Sequence, residues 1–199
     1  MRDHVSKAMA TALRHNPRVR KDPQGWVTME DLIASENLRS IVPIVTESEV
    51  LAILHNPNAD KKRFLGKLTP AGWSLKAIQG HSDAAQVVPA RAYPEIRAGD
   101  ALCPTQMAHA TFRGNLLSIL RTGIRPGGSR GAGTGSLASH FVDVSGVNCG
   151  SRPPSQKYLA LLRKGADVVI IVDVMRFMAA DNKLYRGTDR VVLSPHDVP

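Results

Sequence analysis

The chain has 199 residues, 43% of them hydrophobic and 22% charged, a composition typical of a globular protein with one large or two small domains. No run approaches the roughly 20 apolar residues of a membrane-spanning helix, and the amphipathic N-terminal segment does not resemble a signal peptide. We therefore expect a cytoplasmic protein without a membrane anchor. The two cysteines, Cys103 and Cys149, argue against a disulfide scaffold and a zinc site, so we expect reduced thiols.

The formal net charge is +9, and the excess is uneven. Residues 1–100 contain 14 Lys and Arg against 11 Asp and Glu, whereas residues 101–199 contain 12 against 6. Such a field favours a polyanionic partner, because contacts with phosphates release condensed counterions. An acidic membrane is less favoured, since no basic amphipathic helix with a large aromatic face is present.

The first half of the chain has the pattern of short helices. Residues 5–15 have helical periodicity, and the apolar face consists of Val5, Met9, Ala12 and Leu13. Asn16-Pro17 should end this helix. Two further helices are predicted to begin at Thr28 and Thr46, because each threonine is followed at the third position by an acid. The segment "GWVTMEDLIAS" is predicted to pass from a strand through a turn into the first of these helices.

Two strands follow, "KRFLGKL" and "GWSLKAI", and they predict a hairpin joined at residues 69–72. Three short helices and a two-stranded wing are typical of a winged-helix module, although other small α+β domains share the pattern. We expect Trp26 and Trp73 to pack in its core, with base stacking as the less favoured alternative. The basic residues Arg18, Arg20 and Lys21 are expected to be solvated, with contact to a nucleic-acid backbone as the second alternative.

Residues 82–105 lack a sustained period and contain several prolines, so the chain is expected to pass there from one domain to the other. Beyond them, "NLLSILRTG" predicts a helix with Gly123 at its C-cap, and "DVVIIVDV" and "RVVLS" predict buried strands. The glycine-rich "RPGGSRGAGTGS" lacks the ending of a P-loop. The predicted class is α+β, with domains at 1–88 and 106–199 and a linker at 89–105.

Several stretches, in this order, resemble the RNA 2′-phosphotransferases of the KptA/Tpt1 type: "VSKAMATALRH", "GWVTMEDLI", "KKRFLGKL", "KAIQGHS", "HATFRGNLLSILRTGI", "VVIIVDV" and "KLYRGTDRVVLS". The resemblance implies an N-terminal winged-helix lobe that binds RNA and a β-rich C-terminal lobe of the ADP-ribosyltransferase type that binds NAD⁺. It implies transfer of an internal RNA 2′-phosphate to NAD⁺, giving 2′-OH RNA, ADP-ribose 1″,2″-cyclic phosphate and nicotinamide. The implied partner is RNA with an internal 2′-phosphate, with tRNA as a candidate, and we expect a monomer.

The resemblance also implies site residues. Catalytic roles fall to Arg14, His15, Lys76 and Arg130. Contacts with NAD⁺, which is consumed as a co-substrate, fall to His109, Thr111, Ser139 and His140. Contacts with the RNA substrate fall to Gln79, His81 and Arg152. No metal is implied. On spacing alone, the Arg14–His15 pair is also what a helix C-terminus favours, because cations there interact well with the helix dipole.

The chemistry of these residues suits a phosphate nucleophile. A phosphate monoester is already an anion near pH 7, so it needs no general base to become a nucleophile. It needs orientation, and arginine can orient it through paired hydrogen bonds to two phosphate oxygens. No glutamate follows Glu95, so the second half lacks the glutamate that protein-modifying ADP-ribosyltransferases generally use.

Three positions depart from the family pattern. Ala110 replaces a glycine, an expected arginine before His140 is missing, and Lys76 replaces an arginine and so exchanges a bidentate grip for a point contact. The missing arginine is expected to be supplied by Arg130 or Arg152. Two alternatives follow from these departures: an ADP-ribosyltransferase that modifies nucleic-acid terminal phosphates, and a catalytically impaired RNA-binding homologue.

Overall fold

The protein folds into two compact units that are discontinuous along the chain. The computed structural model describes residues 2–41, 44–56, 62–127, 136–145, 165–187 and 190–199. The first unit contains residues 1–92 and 130–137, and the second contains residues 93–129 and 138–199. Helices and sheets are both present, so the α+β class is confirmed.

The first unit combines helices with a small antiparallel sheet. Its described helices are α1 (Arg2–His15), α2 (Met29–Ala34), α3 (Glu36–Arg39), α4 (Glu47–Leu54) and α5 (Pro89–Ala92). Its strands are β1 (Val27–Thr28), β2 (Phe64–Thr69) and β3 (Gly72–Ala77). The strand order is β1-β3-β2. β2 and β3 form the predicted hairpin. β1 is the strand predicted before the second helix, and it pairs with β3 as a third strand of the sheet.

Helices α1, α2 and α4 are the three that the sequence predicts, although α1 begins at Arg2 rather than at residue 5, and the short α3 and α5 were not predicted. The predicted apolar face of α1 is buried in the core, where it meets residues of α2, α4 and β3. Thr28 caps α2 by accepting a hydrogen bond from the Asp31 N–H at 3.0 Å. Thr46 and Glu49 form a reciprocal capping box at the start of α4. Local capping and a shared apolar face therefore fix the positions of these helices.

Two predictions about side chains of the first unit are wrong. Lys21 is buried rather than solvated, because its ammonium group forms an ion pair with the buried Asp83. Trp26 lies outside the apolar core and is half-buried beside two lysine ammonium groups. Trp73 packs against the core as expected, and Arg18 and Arg20 are exposed as expected.

The second unit is built on a larger antiparallel sheet. Its described strands are β4 (Glu95–Ile96), β5 (Gln106–Thr111), β6 (Ser139–Asp143), β7 (Val168–Asp173), β8 (Leu184–Arg186) and β9 (Val191–Ser194). Their order is β4-β8-β9-β6-β5-β7. Its described helices are α6 (Arg113–Thr122) and α7 (Val174–Ala179). The Gly123 N–H donates to the Ile119 carbonyl at 2.7 Å, and φ is +75°, which confirms Gly123 as the C-cap of α6.

The two predicted buried strands of this unit differ in environment. β9 is an interior strand, and Val192, Leu193 and Ser194 are buried as predicted. β7 lies at the edge of the sheet, where Val169 and Ile171 are each 37% exposed. The prediction of burial for β7 is wrong because an apolar, β-branched run does not distinguish an interior strand from an edge strand.

Within residues 89–105, the chain passes from the first unit to the second between Ala92 and Tyr93. Within this range, α5 belongs to the first unit and β4 to the second. Cys103 is a free thiol, and Cys149 lies outside the described residues. In the described part of the chain, every helix is too short or too polar to cross a membrane.

Candidate functional site

In the first unit, the C-terminal end of α1 is joined to the segment that follows β3. The backbone N–H of Ser82 donates to the Arg14 carbonyl at 3.0 Å, and His15 Nδ1 lies 3.0 Å from Ser82 Oγ. The carbonyls of the last turn of a helix lack partners within that helix, so Ser82 stabilises the end of α1. These bonds bring the predicted pair Arg14–His15 to the predicted residues Gln79 and His81.

Gly80 allows this close approach. Its φ is +85°, a conformation that side-chain-bearing residues rarely adopt. A Cβ atom placed on Gly80 would lie 3.5–3.7 Å from the Cδ, Nε and Cζ atoms of Arg14. The backbone at Gly80 therefore runs alongside the half-buried Arg14 side chain.

Among the described residues of the predicted site in this unit, His81 is the most buried, with 1% of its surface exposed. Burial, followed by the positive charges of Arg14 and Lys76, lowers the pKa of His81 from 6.5 to about 4. Lys21 and His15 act in the same direction. His81 is consequently neutral near pH 7, so the positive charge of the site comes from the neighbouring side chains.

Lys76 lies on β3, and its ammonium group donates to the Ala92 carbonyl at 3.0 Å. Burial lowers the pKa of Lys76; Asp22 opposes this shift, and Lys67 adds to it. The Nζ atoms of Lys67 and Lys76 lie 4.3 Å and 5.2 Å from the centre of the Trp26 ring. Two ammonium groups thus lie near one indole. Each cation–π contact stabilises this arrangement modestly, and the repulsion between the two cations opposes it.

Gln79 places an unsatisfied acceptor in this region. Its Oε1 atom is buried and has no hydrogen-bond partner among the described residues. Buried polar atoms without partners are uncommon, because losing hydration without a replacement bond costs about 1–3 kcal/mol. A ligand hydroxyl or amide could satisfy this atom. The surroundings of Gln79 therefore combine positive charge with an unsatisfied hydrogen-bond acceptor. This combination suits a ligand that carries both a phosphate and a hydroxyl group.

In the second unit, the predicted residues lie on the adjacent strands β5 and β6. His109 is half-buried on β5, and its Nδ1 is 3.0 Å from the His140 carbonyl on β6. A carbonyl oxygen only accepts, so His109 Nδ1 carries the hydrogen of this bond. The His109 ring also lies 5.4 Å from the Phe141 ring, at an angle of 53°. Two contacts thus fix the orientation of this imidazole.

Thr111 and Ser139 differ in how their hydroxyls are satisfied. Thr111 is buried, and its Oγ1 accepts from Asn115 Nδ2 at 3.2 Å. Ser139 Oγ is buried and has no hydrogen-bond partner among the described residues. Ser139 is therefore better placed than Thr111 to donate to or accept from a bound ligand, whereas Thr111 connects β5 to the first turn of α6.

The remaining predicted residues, Arg130 and Arg152, lie outside the described residues. Sequence reasoning missed Lys67 as a neighbour of Lys76. The alternation of the hairpin could have revealed it: β2 and β3 pair Leu65 with Lys76 and Lys67 with Ser74, so both lysines are on the same face of the sheet.

Comparison with known proteins finds relatives over nearly the whole chain. A family model described as RNA 2′-phosphotransferase, Tpt1/KptA family, matches residues 1–196. A probable RNA 2′-phosphotransferase of Pyrococcus horikoshii is 34% identical over 176 residues, which cover 86% of this chain and 80% of the relative. A protein of the same name from Pseudomonas aeruginosa is 32% identical, and the match covers 96% of this chain and 91% of the relative. Another from Rhizobium rhizogenes is 28% identical, and the match covers 98% of this chain and 90% of the relative.

Proposed function

Because the chain belongs to the RNA 2′-phosphotransferase, Tpt1/KptA family, we propose that it transfers an internal RNA 2′-phosphate to NAD⁺ and leaves a 2′-hydroxyl on the RNA. The co-substrate supplies the C1″ acceptor, the nicotinamide leaving group and the O2″ hydroxyl that closes ADP-ribose 1″,2″-cyclic phosphate. The partner is a 2′-phosphorylated RNA, with a spliced tRNA as the candidate, and the enzyme acts as a cytoplasmic monomer.

The observation that carries this proposal is the junction of α1 with residues 79–82. Ser82 holds the end of α1 by its bond to the Arg14 carbonyl, and Gly80 runs beside the Arg14 side chain. Arg14 then grips two oxygens of the 2′-phosphate, which is an anion near pH 7 and needs orientation rather than deprotonation. Lys76 adds a point charge, and Gln79 Oε1 accepts from a hydroxyl of the RNA ribose.

Both histidines of this unit have roles that follow from their surroundings. His15 is exposed and shares a hydrogen bond with Ser82 Oγ, so it is placed to move a proton to or from a reacting oxygen. His81 is buried and neutral, and it serves as a hydrogen-bonding group rather than a cation. The positive charge that balances the phosphate therefore comes from Arg14 and Lys76.

We assign the first unit to a winged-helix lobe that binds RNA and the second to an ADP-ribosyltransferase-like lobe that binds NAD⁺. The small antiparallel sheet packed against α1–α4 supports the first assignment, and the larger antiparallel sheet supports the second. The unsatisfied hydroxyl of Ser139 and the His109 ring, which is oriented by its bond to the His140 carbonyl, fit a polar ligand such as a dinucleotide. Thr111 and His140 complete this set, with Thr111 acting through the strand–helix junction.

The test is an assay of the purified protein on a 2′-phosphorylated oligoribonucleotide, with and without NAD⁺. We expect NAD⁺-dependent formation of the 2′-hydroxyl product. Replacing Arg14 with alanine should lower the rate by at least about ten- to a hundredfold, because the loss of even one strong charge-assisted bond has that effect. Arg18→Ala, a change of the same charge at an exposed position, is the control. Absence of product with enzyme in excess over RNA would reject the proposal.

One observation favours a second candidate function, in which the reaction ends at an ADP-ribosylated phosphate. Lys76 is half-buried, and its ammonium group already donates to the Ala92 carbonyl, so its grip on phosphate is weaker than that of a free side chain. Incubation of a terminally phosphorylated oligonucleotide with NAD⁺ should then add the mass of one ADP-ribose. RNA binding without either product would identify the impaired homologue.

A further inference from the structure

The first unit contains a buried ion pair beside the site. Lys21 Nζ lies 3.0 Å from Asp83 Oδ2, and the two side chains are 0% and 4% exposed. The ammonium group also donates to the Asn16 carbonyl at 2.6 Å and to the Val19 carbonyl at 3.1 Å. All three hydrogens of the ammonium therefore have acceptors.

Gln86 extends this pair into a network. Its Nε2 donates to Asp83 Oδ2 at 2.7 Å and to the Pro17 and Val19 carbonyls at 3.0 and 3.2 Å, and its Oε1 accepts from the Lys21 N–H at 2.7 Å. The carbonyl and the amino group of the Gln86 side-chain amide thus both form hydrogen bonds to the loop at residues 16–21. Gln86 itself is half-buried. We call Lys21, Asp83 and Gln86 the buried triad, after the buried ion pair at its centre.

The two segments joined by the buried triad are the direct continuations of the site. Residues 16–21 follow the Arg14–His15 pair, and residues 83–86 follow Gln79–Ser82. Close to the triad, Ser82 binds the Arg14 carbonyl and His15. Any relative shift of the two segments would therefore move the Arg14 side chain relative to Gln79 and His81.

Stability alone is a poor reason for this arrangement. The desolvation of a buried pair often cancels its attraction, and apolar replacements of similar volume are often neutral or stabilising. Geometry at a reacting centre is a better reason, because a misplacement of about 1 Å can cost about a hundredfold in rate. We propose that the buried triad positions the end of α1 against residues 79–82, so that Arg14 meets the RNA 2′-phosphate. The catalytic part of this inference rests on the proposed function.

The closing experiment separates positioning from stability. The double variant Lys21→Met with Asp83→Leu replaces the buried pair by apolar side chains. Its control, Arg18→Gln with Glu36→Gln, removes an exposed pair that also begins in the loop at residues 16–21.

The first readout is hydrogen exchange of the Ser82 amide, whose acceptor is the Arg14 carbonyl. We expect it to exchange at least about tenfold faster in the buried-pair variant, with core amides and the melting temperature nearly unchanged. The exposed-pair variant should match the parent.

The second readout is catalysis by the parent and both double variants. In the buried-pair variant, kcat with 2′-phosphorylated RNA should fall by about tenfold or more, while KM for NAD⁺ stays constant. A folded buried-pair variant whose Ser82 amide is as protected as in the parent would overturn the inference. An inactive parent would count against the proposed function only, since the exchange result stands without activity. If the double variant does not fold, Gln86→Met gives the same exchange test with the ion pair retained, and unchanged protection there overturns the inference.

Discussion

Acidification should destabilise the first unit because His81 is buried without charge. Burial and the nearby charge of Arg14 lower the pKa of His81 in the folded state from 6.5 to about 4, whereas unfolding restores a value near 6.5. Between these values the unfolded state binds more protons than the folded state. The contribution of His81 to stability is therefore complete above about pH 6.5 and is lost as the pH falls toward 4.

The size of this effect follows from the two pKa values. Each unit of difference corresponds to about 1.4 kcal/mol, so the complete loss is about 3 kcal/mol, of which about 2.5 kcal/mol is reached at pH 4.5. The side chain is 1% exposed, so solvent screens this penalty little. A loss of that size is a large fraction of the stability of an ordinary domain.

Urea unfolding at pH 7.5 and pH 4.5, followed by tryptophan fluorescence, measures the effect. The chain has two tryptophans, Trp26 and Trp73, and both belong to the first unit, so the signal reports on that unit. The parent should lose about 2.5 kcal/mol more than His81→Gln between the two pH values, because carboxylates titrate equally in both. His4→Gln, at an exposed position of α1, should behave as the parent. Equal losses in all three proteins would refute the reasoning.

Three further changes test the site. Lys76→Arg should raise the rate up to about tenfold, because a guanidinium restores two parallel bonds to phosphate; an active parent without a gain in the variant contradicts this account. Lys67 is exposed beside Trp26, so we expect its ammonium group to contact the RNA backbone. Lys67→Ala should then weaken oligoribonucleotide binding equally with and without a 2′-phosphate and reduce the salt slope by about one, whereas the exposed Lys7→Ala should change neither. A loss confined to the 2′-phosphorylated oligonucleotide would contradict a backbone contact. Gly80→Ala should cost about 1–2 kcal/mol in urea unfolding, because φ is +85°, and should weaken binding of 2′-phosphorylated RNA; unchanged stability would disprove the strain.

Local sequence determined the elements that depend on near neighbours. The apolar face of α1, the caps at Thr28 and Thr46, and the glycine that ends α6 follow from spacings of a few residues, and the structure confirms each of them. The ordered motifs also identified the family from the chain alone. These features are readable because periodicity and capping are rules of one helix or one hairpin.

The environment of each charged residue required the tertiary structure. Lys21 stands in a basic run that resembles a solvated surface, yet Asp83 lies 62 positions away in sequence and neutralises it in the interior. Trp26 resembles a core residue, yet it lies beside Lys67 and Lys76. Burial and charge depend on which distant segments meet, and one-dimensional patterns do not carry that information.

The candidate site divides in the same way. The chain alone named Arg14, Gln79 and His81 through the resemblance, but not the bond from Ser82 to the end of α1 or the low pKa of His81. Sequence determines which groups are available for chemistry. Only the packed chain determines which of them are desolvated and which share a neighbour, because hydrogen bonds and desolvation act over a few ångströms of space rather than along the sequence.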